Sequence, residues 1–146
     1  RLQHEYKLLE RGQISIVLAG ADDPNGPFDQ KRPAQLVREI RQARGKGAYI
    51  LMLSHRNDEL DLWANMGVQT VLCGHGHGGI VRLPFVGAVF GTHLDLFPDY
   101  TAGLYQKGQT SMIVSRGLGG SRKLPLRIGN RPEIVTVILK TDSGEI

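Results

Sequence analysis

Three short apolar runs, each giving way to a polar or glycine-rich loop, constrain what this chain can fold into. Residues 13–19 (Gln-Ile-Ser-Ile-Val-Leu-Ala), about 48–53, and 68–73 each read as a buried strand. Helical patterns separate them. Pro33 suits a first helical position, and Leu36, Val37, Ile40 and Ala43 make one apolar stripe before Gly45 closes the helix. Asn57 or Asp58 can cap a shorter helix carrying Leu62, Trp63 and Met66, with Gly67 at its end. Beyond the third run come short segments near 80–83, 86–90, 102–106, 110–115 and 133–140, separated by turn residues. The expected fold is α/β, a βαβαβ unit followed by mostly antiparallel strands. Tyr100 and Tyr105 are read as packing residues of one such strand.

The loops at the strand ends carry the chemistry. The second run passes into Ser54-His55, and the third into Gly74-His75-Gly76-His77-Gly78-Gly79. Residues i and i+2 of extended backbone share a face, so His75 and His77 can point the same way. Glycine between them leaves room for an ion and tolerates positive φ. Gly78-Gly79 is expected to let the backbone approach whatever such an ion holds. Neutral imidazole is a common metal ligand near pH 7, and open α/β sheets collect ligands where their strands end. His55, His75 and His77 are therefore the candidate metal ligands. The simpler alternative for the pair is two loop histidines bonded to backbone or water.

Asp22 and Asp23 close the first run and are candidates to orient a ligand histidine, although a turn before Pro24 accounts for them more simply. Arg116, in Arg116-Gly117-Leu118-Gly119-Gly120-Ser121-Arg122, belongs to a stretch whose N–H groups could cradle a phosphate; a plain strand connection is the alternative. His4 and His93 have no partners at ligand spacing and read as surface residues.

Composition bounds these readings. A length of 146 residues suits one domain with a modest core. The 19 glycines, against a usual share of ~7%, signal many turns rather than disorder. The single cysteine, Cys73, excludes an internal disulfide and reads as a small apolar strand residue. No apolar run approaches the ~18 residues of a membrane span. A net charge of +4 is spread along the chain rather than clustered with aromatics, so no specific nucleic-acid partner is expected. Arg38, Arg41 and Arg44 read as a solvated helix face, and the cations after Arg116 suit an anionic ester. The chain begins at Arg1, so a targeting or anchoring segment could precede it.

The histidine loop, followed by Arg82-Leu83-Pro84-Phe85-Val86-Gly87-Ala88, resembles the last motif of the calcineurin-like metallophosphoesterases, in the bacterial branch whose signature reads G-H-T-H-G-G-Q-I-R-L-P-F. Leu53-Ser54-His55 resembles that family's preceding single-histidine motif. Ser115-Arg116-Gly117-Leu118-Gly119, then Pro125-Leu126-Arg127 and Arg131-Pro132-Glu133-Ile134, is similar to the branch's C-terminal signature. The family's first three motifs, D-x-H, G-D-x-x-D and G-N-H-D/E, do not occur. The resemblance thus implies that residues 1–146 are a C-terminal portion of such a domain, one half of its α/β sandwich.

The resemblance implies a complete enzyme with two divalent ions (Mn, Fe, Zn or similar) and a bridging hydroxide that attacks a phosphate mono- or diester. His55 and His75 would bind one ion and His77 the other. The bridging aspartate, the asparagine ligand and the leaving-group acid would lie outside this chain. Two adjacent cations repel and need anionic ligands. Three neutral imidazoles would hold at most one ion weakly, so the isolated chain is expected to be inactive. The competing reading is a non-catalytic fragment, or a binding or assembly module keeping a partial metal site. A half-sandwich should expose an apolar sheet face, which leads to an expected homodimer or pairing with a separate N-terminal half. Membrane association of a longer protein, or a bacterial cytoplasmic setting, is compatible with the resemblance.

Overall fold

The computed structural model describes residues 5–23, 26, 31–120 and 126–140. Eight strands and two helices follow the order β1 (Tyr6–Arg11), β2 (Ile14–Gly20), α1 (Pro33–Arg44), β3 (Tyr49–Leu53), α2 (Leu60–Asn65), β4 (Thr70–Cys73), β5 (Val81–Leu83), β6 (Gly87–Phe90), β7 (Gly103–Lys107) and β8 (Thr110–Val114). Six strands form one mixed sheet in the order β1-β2-β3-β4-β8-β7, while β5 and β6 make a separate antiparallel hairpin. Strands β2, β3, β4 and β8 run parallel to one another, and β1 and β7 are antiparallel edges. The architecture is α/β and is consistent with the half-sandwich that the resemblance implies.

The periodicity explains the layers. Val17, Ala19, Ile50, Met52, Val71, Met112 and Val114 alternate along four strands, so all point to one face. There they pack beneath Leu36, Val37 and Ile40 of α1 and Leu60 and Trp63 of α2. Pro33 begins α1 as expected, and Gly45 ends it with φ 87 and an N–H bonded to Arg41 O. Arg41 departs from the solvated-face expectation. Its guanidinium donates to Lys46 O at 2.6 Å, Ala48 O at 2.5 Å and Gly67 O at 2.7 Å, tying the ends of both helices together.

Four other points differ from the sequence reading. Strand β1 was not read from the sequence; it pairs with β2 from Tyr6↔Ala19 to Arg11↔Ile14. The cap of α2 is Glu59, without a side-chain capping bond, rather than Asn57 or Asp58; Asn57 instead donates from Nδ2 to Tyr100 O at 2.9 Å. Residues 133–140, expected as a strand, form none, and most of them are exposed. Tyr105 lies in β7 but Tyr100 precedes it; the two rings meet edge to face at 4.9 Å and pack against the core.

Candidate metal and phosphate site

Because β2, β3, β4 and β8 are mutually parallel, their C-terminal ends share one sheet edge. The register puts Gly20 beside Leu53, Leu53 beside Leu72, and Cys73 beside Val114. Asp22 and Asp23 leave β2 at this edge, His55 leaves β3, His75 and His77 leave β4, and Arg116 leaves β8. All the sequence-predicted site residues therefore gather along one rim.

His55 and His75 meet at this rim, their ring centroids 4.3 Å apart in an edge-on arrangement. His55 Nε2 is 3.4 Å from Asp23 Oδ2, and Arg56 Nε approaches the other oxygen of that carboxylate at 3.5 Å. Asp23 also forms a turn, its carbonyl accepting from Gly26 N–H at 2.8 Å. Asp22 sits beside it, half-buried. His93, read from the sequence as a surface residue, is exposed but lies 5.5 Å from the His75 ring. Spacing could not reveal this, because the loop after β6 brings His93 back toward β4. His4 lies outside the described residues.

Electrostatics favour neutral imidazoles. The pKa of His75 is lowered by burial, then by the neighbouring His55 and His93, against an opposing pull from Asp23. That of His77 is lowered by burial and then by Arg127, partly offset by its bond to the Gly119 backbone. Neutral rings keep lone pairs for a metal.

The fit to a metal is nonetheless incomplete. Among the described residues, no three His, Cys, Asp or Glu side chains are grouped as an ion would require. One carboxylate facing one imidazole does not supply the anionic charge that two adjacent cations need. These residues alone do not make a two-metal centre.

The glycines serve a different purpose from the one their sequence suggested. A Cβ on Gly78, at φ +75, would come within 2.5 Å of Arg116 Cγ and 3.0 Å of Asn130 Oδ1. On Gly79, at φ +84, it would meet Ala88 Cβ and Phe90 O, each at 2.9 Å. Close packing against β6 and the C-terminal segment, rather than open space for a ligand, thus requires both positions to be glycine. Arg116 is itself engaged. Its Nε donates to Glu133 Oε2 at 2.7 Å, and a second guanidinium nitrogen reaches the same carboxylate. Arg127 donates to the carbonyls of Arg116, Gly117 and Gly119. Ser121 and Arg122 of the expected phosphate cradle lie outside the described residues. The rim contacts of Asn57, Arg82 and Asn130 carry no signal in the sequence, because a single polar residue has no periodicity.

Comparison with known proteins agrees with this reading. The chain is 39% identical over 93 residues to the uncharacterized metallophosphoesterase YkuE of Bacillus subtilis, covering 64% of this chain and 32% of that protein. It is 35% identical over 89 residues to the phosphodiesterase YaeI of Escherichia coli, covering 61% of this chain and 32% of that one. Both matches fall in the C-terminal region of the relatives, so the chain spans about a third of their length. No protein-family profile and no solved structure matches it. Divalent metal cofactors are implied by this kinship. Together with the strand-end histidines, these two relatives support a metallophosphoesterase family for the chain.

Proposed function

We propose that this chain is the C-terminal portion of a metal-dependent phosphoesterase that hydrolyses phosphate mono- or diesters. The observation that carries this reading is the meeting of His55 and His75, two imidazoles delivered from the ends of adjacent parallel strands. His55, His75 and His77 are proposed as its share of the ligands for two divalent ions (Mn, Fe, Zn or similar), with Asp22 and Asp23 behind them. Arg116, held by Glu133, is proposed to shape the substrate side of the rim. A bridging carboxylate and a leaving-group acid must come from outside residues 1–146. By itself the chain would hold no more than one ion, weakly, and would be inactive.

The partner proposed for the bare sheet face is the missing N-terminal half or, without it, a second copy. The test compares this chain with a longer natural protein containing it, using bis(p-nitrophenyl) phosphate and Mn2+. The longer protein should turn over and lose at least ~100-fold on His75→Ala, a ligand loss in the range seen when metal-site residues are removed. The short chain should show no turnover. Activity of the longer protein that survives His75→Ala would remove the metal-ligand assignment. Metal-dependent turnover by the short chain would show that its own carboxylates complete a centre.

A further inference from the structure

Three consecutive carbonyls of the histidine loop are held by side chains from elsewhere in the fold. Asn130 is 3% exposed, and its Nδ2 donates to His77 O at 2.8 Å and to Gly79 O at 2.6 Å. Arg82, on β5, donates to the intervening Gly78 O at 2.9 Å and to Thr101 Oγ1 at 3.1 Å. The Asn130 amide has one permitted orientation, because turning it would set its oxygen against two carbonyl oxygens. Its own Oδ1 is buried with no hydrogen-bond partner among the described residues. An orphaned buried acceptor costs free energy, a cost that a residue serving only to fill space would not carry.

The loop has reason to need such a grip. His75 and His77 have φ of 64° and 49°, in the left-handed region that residues with side chains avoid. Released, these backbones would drift toward ordinary conformations, and the imidazoles would swing away from the strand end. The restraint comes from a residue more than fifty positions along the chain, on a segment that supplies no proposed ligand.

We propose that Asn130 is the positioning residue of the histidine loop: by gripping the carbonyls on either side of Gly78, it keeps His75 and His77 presented at the end of β4. Its importance for catalysis rests on the metal-site reading above; the grip itself does not.

Amide hydrogen exchange on this chain tests the grip without metal or substrate. Protected loop amides exist to be read, since Gly76 N–H bonds Gly74 O and Gly79 N–H bonds Gly76 O, each at 2.8 Å. In Asn130→Ala, these amides should exchange about tenfold faster than in the parent, beyond any acceleration shared with β3 and α1. Asn130→Asp, which sets an acceptor against both carbonyls, should release the loop as fully. Asn130→Ser keeps one short donor and should fall between; it is the variant to read if the alanine form does not fold. An effect on the loop no larger than on β3 would overturn the proposal, because Asn130 would then contribute only to general stability. A failed activity test leaves this result untouched, so the two ideas fail separately.

Discussion

The two faces of the six-stranded sheet are built from similar residues and end in different states. On the helix side, Val17, Ile50, Met52, Val71 and Met112 are shut away from solvent. Opposite them, alternating along the same strands, stand Ile16, Leu18, Tyr49, Leu51, Leu53, Leu72, Leu104 and Ile113. None of these is fully buried, and Leu53 is 38% and Leu104 60% exposed. Apolar content alone therefore does not make a core. A strand needs a layer on each side, and among the described residues helices cover one side only. The segment 135–140 passes over the other, but stands off it across an open groove of about 480 Å³ lined by Tyr49, Thr70, Leu104 and Ile113.

The largest expected effect lies on the closed face. Trp63 is wholly buried between α2 and the sheet, so Trp63→Ala should cost about 3–5 kcal/mol in chemical unfolding. For a domain this size that is a large part of the total stability. The Trp63 indole N–H is also buried without a partner among the described residues. Trp63→Phe removes that orphan donor and should cost clearly less than its lost volume suggests. A Phe variant as damaged as the Ala one would mean that ring volume alone decides this site.

The contrast also shows what could be read from residues alone. Strands β2, β3 and β4 and helix α1 were legible because burial imposes a period on their sequences. The strand-end histidines were legible because the ends of parallel strands share an edge. Strand β1 was not, since Tyr6-Lys7-Leu8-Leu9-Glu10-Arg11 mixes charge into an edge that touches the core on one side only. Segment 133–140 misled in the opposite sense. Its run Ile134-Val135-Thr136-Val137-Ile138-Leu139 is β-prone, yet β propensity expresses fit to a pleated, half-buried surface, and the segment pairs with no strand among the described residues. The grips of Asn130 and Asn57 were invisible because each joins segments far apart in sequence, and that of Arg82 because a lone polar residue carries no period.

A smaller effect is expected where the C-terminal segment meets the rim. Arg116 and Glu133 are mutually half-buried, with about a quarter of each side chain exposed. Glu133→Ala should cost about 1–3 kcal/mol, since it leaves the guanidinium partly desolvated and unpaired. Glu133→Gln, which keeps an acceptor, should cost less. If both variants melt with the parent, the C-terminal segment is held by Arg127 and Asn130 without help from this pair.

The smallest effect on stability, and the most telling for the comparison, belongs to the bare face. Leu53→Ser and Leu104→Ser remove apolar surface that solvent already reaches, so each should change unfolding free energy by no more than about 0.5 kcal/mol. Association should respond much more. An apolar sheet face left open favours pairing, with a second copy or with the N-terminal half proposed above, because covering it releases ordered water over a large area. Sedimentation of the parent chain at micromolar concentration should show a dimer, and the double variant Leu53→Ser with Leu104→Ser should shift it toward monomer at nearly unchanged melting temperature. A parent that is monomeric across this range would mean that the open groove beneath 135–140 closes in solution. Leu104 lines that groove, so Leu104→Ser would then cost several times the expected amount, and the two faces would differ less than they do here. A dimer that ignores both substitutions would place the contact elsewhere, for instance at the unpaired edges of β1 or β7.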